Sequence, residues 1–67
     1  MNEIVIQHQY GEEDEIIRYS ATIAPRKGET VNIKEKGAAQ YAKYLVIEVD
    51  HAIYHGSLMV VCSVLPD

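Results

Sequence analysis

The segment Val49–Cys62, VDHAIYHGSLMVVC, combines an acid, two histidines and the single cysteine of the chain. The chain offers three potential metal ligands, which are His8, His51 and Cys62. The same residues would supply a cysteine and a base for nucleophilic catalysis. No known ligand spacing joins them, because His51 and His55 are four residues apart in a predicted strand and turn rather than in a helix. We expect packing roles for these side chains and no cofactor. A metal-binding, small-molecule-binding or hydrolytic role of the His/Cys cluster is the alternative.

Two charged motifs have the composition of turns. The acidic run Gly11–Glu15, GEEDE, lacks the alternating ligands and central glycine of a calcium-binding loop. The run Pro25–Glu29, PRKGE, is too short for a phosphate-binding loop and precedes no predicted helix. We interpret the first as a solvated turn and the second as a turn between strands.

Length and composition indicate one small domain spanning residues 1–67. A chain of 67 residues buries only about 60% of the surface that its unfolded form exposes, so a second copy or a partner is expected. One cysteine excludes an internal disulfide and a four-cysteine zinc module, which favours a cytoplasmic location. Charged residues interrupt every apolar stretch, so neither a signal peptide nor a membrane span is predicted.

The charge balance disfavours nucleic acid as a partner. Ten acids and six bases give a net charge of -4, and no run of bases is present. All six bases lie between Arg18 and Lys43, so a nucleic-acid module that uses this segment with Tyr41 and Tyr44 is a further alternative.

Alternation of apolar and polar residues predicts an N-terminal hairpin. Apolar side chains recur at every second position on both sides of the acidic run. A loop over Gly11–Asp14 would pair Tyr10 with Glu15 and, further along, Ile6 with Tyr19. The neighbouring predicted pairs are His8 with Ile17 and Ile4 with Ala21. In this register the two apolar faces coincide.

A second hairpin is predicted at the C-terminal end. His55 and Gly56 form a two-residue turn in which glycine supplies a positive φ. This turn sets the predicted pairs, which are Ile53 with Leu58, His51 with Val60, Val49 with Cys62 and Ile47 with Val64. Their apolar faces coincide as well.

The central segment supplies a short strand between the two hairpins. Pro25 and Gly28 end the second strand in a turn, and Val31 and Ile33 then face inward. Residues 35–43 are expected to form a loop with at most one helical turn. The chain is therefore predicted to be all-β, a five-stranded antiparallel meander that forms a strongly curved sheet or small barrel.

The turn and short strand around Pro25, Gly28, Glu29 and Val31, followed by a long hairpin, resemble the small SH3-like barrels of bacterial and phage proteins. The resemblance covers roughly residues 25–65. It implies a barrel that serves as a structural or interaction module and transfers no catalytic residue.

The predicted outward face of the last hairpin is more apolar than a monomer would expose to solvent. We expect it to contact a second copy or a partner protein, with a homo-oligomer as one outcome. The candidate contact residues, including the acidic turn, are Val46, Tyr54, Met59, Val61, Leu65, Glu12, Glu13 and Asp14. The predicted function is thus a non-enzymatic protein-protein interaction module, and an acidic chain of this length also fits a phage-type accessory or inhibitor protein.

Overall fold

The computed structural model describes residues 1–9 and 15–67, which form five strands. The strands are β1 (Asn2–His8), β2 (Glu15–Ala21), β3 (Thr30–Ile33), β4 (Ala42–Tyr54) and β5 (Ser57–Pro66). The predicted loop over residues 35–43 contains turns and bends and no helical turn, and it leads into β4 at Ala42. No helix long and apolar enough to cross a membrane occurs in these described ranges.

The five strands form one mixed sheet in the order β2-β1-β5-β4-β3. The all-β prediction with five strands is confirmed, and the sheet curls strongly into a half-barrel. The prediction of a purely antiparallel meander is wrong, because β1 pairs with β5 in parallel. In this pairing Ile4 lies opposite Val60 and Ile6 opposite Cys62, so two apolar strands are joined that no local sequence pattern connects.

The N-terminal hairpin pairs two residues away from its predicted register. Ile4 lies opposite Tyr19 and Ile6 opposite Ile17, so the predicted pairs Ile4 with Ala21 and Ile6 with Tyr19 are wrong. A shift of two residues keeps every side chain on its face, because the side-chain period of a strand is two. A register irregularity between Ile6 and Gln7 then adjusts the pairing toward the end of the hairpin. The inward face was therefore correctly assigned although its partners were not.

The C-terminal hairpin confirms most of its predicted pairs. Ile53 lies opposite Leu58, His51 opposite Val60 and Val49 opposite Cys62. The connecting turn is formed by His55 and Gly56, both at positive φ, as in a type I′ turn.

A bulge in β4 overturns the fourth predicted pair of this hairpin. Val46, and not Ile47, lies opposite Val64, and the register shifts between Val46 and Glu48. An extra residue in one strand reverses the alternation beyond it. As a result Val46 and Tyr44 point into the core, where Val46 is 0% exposed.

The core lies on the concave side of the curled sheet. It is formed by Ile4, Ile6, Ile33, Tyr44, Val46, Val60, Cys62 and Val64. The segment between β2 and β3 closes over one side of this core, where the Gly28 amide donates to the Val46 carbonyl at 2.8 Å. The predicted turn is present, with Gly28 at a φ of 92°. The sheet does not close into a barrel, and β2 and β3 remain its two edges.

Candidate functional site

His8, His51 and Cys62 occupy three different environments. The His8 ring packs edge-to-face on Tyr44, with ring centroids 5.8 Å apart. His51 is exposed on β4. Cys62 is fully buried, and its Sγ lies 3.8 Å from the carbonyl oxygen of Pro25. Burial raises the pKa of the Cys62 thiol, which keeps it protonated and unreactive.

Strand register explains why the His/Cys cluster does not form. His8 lies opposite Val64 and His51 opposite Val60, so the two histidines are four residues apart along β5. Four residues span about 13 Å in a strand. Within residues 1–9 and 15–67, no group of three or more His, Cys, Asp or Glu side chains could hold a metal ion. The metal or nucleophile site considered from sequence therefore has no geometric basis here.

The predicted contact surface on the last hairpin needs one correction. Val46 does not lie on the outward face, because the β4 bulge turns it into the core. Met59, Val61 and Leu65 are half-buried side chains of β5. The side chain of Tyr54 and the acidic residues Glu12, Glu13 and Asp14 lie outside the described residues. Their predicted contact role stays a prediction.

An ion-pair network on the outward face joins β1 and β2. The Arg18 guanidinium lies 3.0 Å from the Glu3 carboxylate and 2.9 Å from that of Glu15. Its hydrogen bond to Glu15 lowers the pKa of that carboxyl group. Val5 lies opposite Arg18 in the β1-β2 pair and is buried. The two acids thus hold Arg18 in place, and this part of the surface is electrostatically paired.

An apolar cleft of about 420 Å³ lies between the two edges of the sheet. It is lined by Ile6, Ile17, Tyr19, Val31, Asn32, Ile33, Lys34 and Tyr41. Its floor is formed by core residues Ile6 and Ile33. Ile17 is 37% exposed and Tyr41 is 69% exposed. The cleft therefore lies above the buried core between β2 and β3, and Ile17 and Tyr41 are the exposed apolar side chains beside it.

Among the described residues that line this cleft, Lys34 is the charged one. Its ammonium nitrogen lies 6.0 Å from the centroid of the Tyr41 ring, within the range of a cation-π contact. Burial raises the pKa of Tyr19, so its phenol is neutral over the physiological range. An apolar floor beside the Lys34 ammonium group suits a ligand in which an apolar group lies next to an acidic one.

A second cleft, at the turn of the C-terminal hairpin, is a weaker candidate for a ligand site than the β2-β3 cleft. Its volume is about 860 Å³, and its lining is mixed in polarity. Its charged lining residues, Glu3 and Arg18, already form an ion pair with each other.

One of the two tyrosines considered for a nucleic-acid module is not available to bind a base. Tyr44 is buried against His8 in the core and cannot stack on a base. Tyr41 is exposed and lies beside Lys34.

Sequence reasoning missed the cleft, although it assigned most of the lining residues to inward faces. Ile17, Tyr19, Val31 and Ile33 all followed the apolar alternation. The missing information was that β2 and β3, which are consecutive in the chain, lie at opposite edges of the sheet.

Comparisons with protein-family models, with curated proteins and with solved structures gave no match to this chain.

Proposed function

We propose that this chain is a non-enzymatic protein-interaction module that receives an extended segment of a partner protein in the cleft between β2 and β3. The observation that carries the proposal is an apolar cleft between two sheet edges, in which the partly exposed Ile17, Tyr19 and Val31 lie above the buried core. Edge strands present N–H and C=O groups with which an added strand can pair. Strand addition uses such backbone groups for affinity and pockets for side-chain specificity.

The lining of the cleft indicates the chemistry of the partner segment. An apolar side chain would fill the space above Ile6 and Ile33, and an acidic side chain would approach Lys34. The rim residue Tyr41 offers a broad ring of the kind that frequently anchors protein interfaces. The preferred segment is therefore extended and places apolar and acidic residues close together.

Binding is favoured over catalysis by the same lining. Of the described residues that line the cleft, none is a histidine, cysteine or carboxylate that could act as nucleophile or general base. The resemblance to SH3-like barrels supports an interaction role too. An accessory or inhibitor protein, which blocks the partner that it binds, would be a narrower form of this function.

Selection of displayed random peptides of about 12 residues on the full chain tests the proposal. Selected peptides should combine apolar and acidic residues. The Tyr41→Ser variant should bind them about tenfold more weakly, because the rim ring is lost. Ile23→Ser is the matched control, since Ile23 is 79% exposed but does not line the cleft.

A charge reversal tests the acidic preference separately. Lys34→Glu should weaken binding of acidic peptides, whereas Lys36→Glu should not, because Lys36 is exposed outside the cleft. Failure to select any peptide, or equal binding to Tyr41→Ser and wild type, would contradict the proposed function.

A further inference from the structure

A long segment of β4 has an open edge. β3 pairs only with Ala42–Leu45, and the preceding Gly28 and Glu29 bond to Val46. None of the residues that the structure describes pairs with the outer edge of Ile47–Tyr54. Unpaired edges of this length are templates for pairing with another chain.

The hairpin turn determines which backbone groups point toward this open edge. A two-residue turn at His55 and Gly56 makes Tyr54 and Ser57 a hydrogen-bonded pair. Because antiparallel pairs alternate, the N–H and C=O groups of Val49, His51 and Ile53 then point away from β5.

We propose that the open edge of β4 pairs with the same edge of a second copy of this chain, antiparallel and around a two-fold axis. In this arrangement His51 lies opposite His51 of the second copy, and Val49 lies opposite Ile53. Each of these pairs exchanges two backbone hydrogen bonds. In this register the outward N–H and C=O groups of Val49, His51 and Ile53 all form hydrogen bonds with the second copy.

Side chains favour this register as well. Ile53 is 75% exposed in the single chain and gains an apolar neighbour in Val49 of the second copy. On the other face, Asp50 lies opposite Ala52. A register centred on Asp50 would instead place two carboxylates directly opposite each other, which is unfavourable. Glu48 and Asp50 also limit unspecific pairing along this edge.

The dimer would join two half-barrels through one continuous sheet. Pairing of two copies uses the β4 edge, whereas the proposed partner segment binds in the β2-β3 cleft. The two proposals are therefore independent. A chain of 67 residues gains stability from such an extension because its own core is small. The interface is isologous, as in most symmetric dimers.

Sedimentation velocity of the full chain, from about 1 µM to about 1 mM, tests the proposal together with charge variants. Ala52→Lys places an ammonium group opposite Asp50 of the second copy twice per dimer, so the dimer Kd should fall about fivefold. Ala52→Glu should raise it about fivefold, because two carboxylates then face each other. Ala38→Lys and Ala38→Glu are matched controls, because Ala38 is exposed in the loop before β4.

Amide hydrogen exchange locates the interface directly. Exchange of the Val49, His51 and Ile53 amides should slow as the concentration rises through the dimer Kd. A chain that stays monomeric at about 1 mM overturns the proposal. A dimer that is weakened by both Ala52 variants, or that responds to neither, overturns it too, as does unchanged exchange of the three amides.

Discussion

At the scale of single residues, Cys62 shows how strand position decides reactivity. Its side chain is fully buried on the central strand of the sheet, against the carbonyl oxygen of Pro25. Burial raises the pKa of its thiol, because a thiolate would lose its hydration. The residue type that first suggested chemistry therefore acts as a small core side chain.

We predict that Cys62 resists alkylation in the folded chain. At neutral pH, iodoacetamide should modify it much more slowly in buffer than in a denaturing concentration of urea, because burial blocks access and favours the thiol. Mass spectrometry of timed samples measures both rates. Equal rates would show that this side chain is accessible in the native state.

We also predict that stability declines in mild alkali. The pKa of Cys62 and that of Tyr19 are both raised in the folded state by burial. The contribution of Cys62 is complete below its unfolded pKa of about 8.5 and is lost as the pH rises from there through the folded pKa, whereas that of Tyr19 begins to be lost only near pH 10. Urea unfolding between neutral pH and pH 10 measures this decline.

The Cys62→Ala variant is the control for the alkaline decline. It should remove most of the decline below about pH 10, because Tyr19 begins to titrate only there. An identical slope in the variant and in the wild type would exclude a contribution of Cys62.

At the scale of the element, the bulge in β4 determines which side chains join the core. The extra residue between Val46 and Glu48 reverses the alternation, so Tyr44 and Val46 face inward beside Val64. Strict alternation without a bulge predicts that Val46 lies on the outward face, among the candidate contact residues. The bulge leaves no clear mark in the sequence because it follows the apolar run Tyr44–Ile47, in which either alternation gives an apolar face.

Truncation of two valines distinguishes the bulged strand from a regular one. Val46→Ala should lower the free energy of unfolding by about 2 kcal/mol, because it leaves a cavity in the core. Val61→Ala, at a half-buried position, should lower it by less than about 1 kcal/mol. Urea denaturation followed by circular dichroism measures both values. The reverse order would indicate that Val46 faces solvent.

At the scale of the whole molecule, the parallel pairing of β1 with β5 makes the core depend on both ends of the chain. Ile4 and Ile6 of β1 pack beside Val60 and Cys62 of β5. The resemblance to SH3-like barrels covers residues 25–65 and omits β1. In this structure those residues alone would leave one side of the central strand β5 unpaired.

We therefore predict that residues 22–67 do not fold alone. The fragment lacks two of the largest fully buried side chains, Ile4 and Ile6. Its amide NMR spectrum should show little dispersion, and addition of a peptide of residues 1–21 should restore the dispersion of the intact chain. A dispersed spectrum of the fragment without the peptide would show that β1 is not needed for the core.

The sequence by itself determined the local features of this protein. Alternation identified the two hairpins and the inward faces of β1 and β2, and His55-Gly56 defined the C-terminal turn with three correct pairs. These features depend on side-chain period and turn geometry, which act between residues close in the chain.

Tertiary structure alone decided the strand order, the bulge, the separation of His8 from His51, and the cleft between β2 and β3. Each of these depends on pairing between segments far apart in the chain. Several apolar strands can pair with almost equal local preference, so the choice among them is made by packing of the complete core.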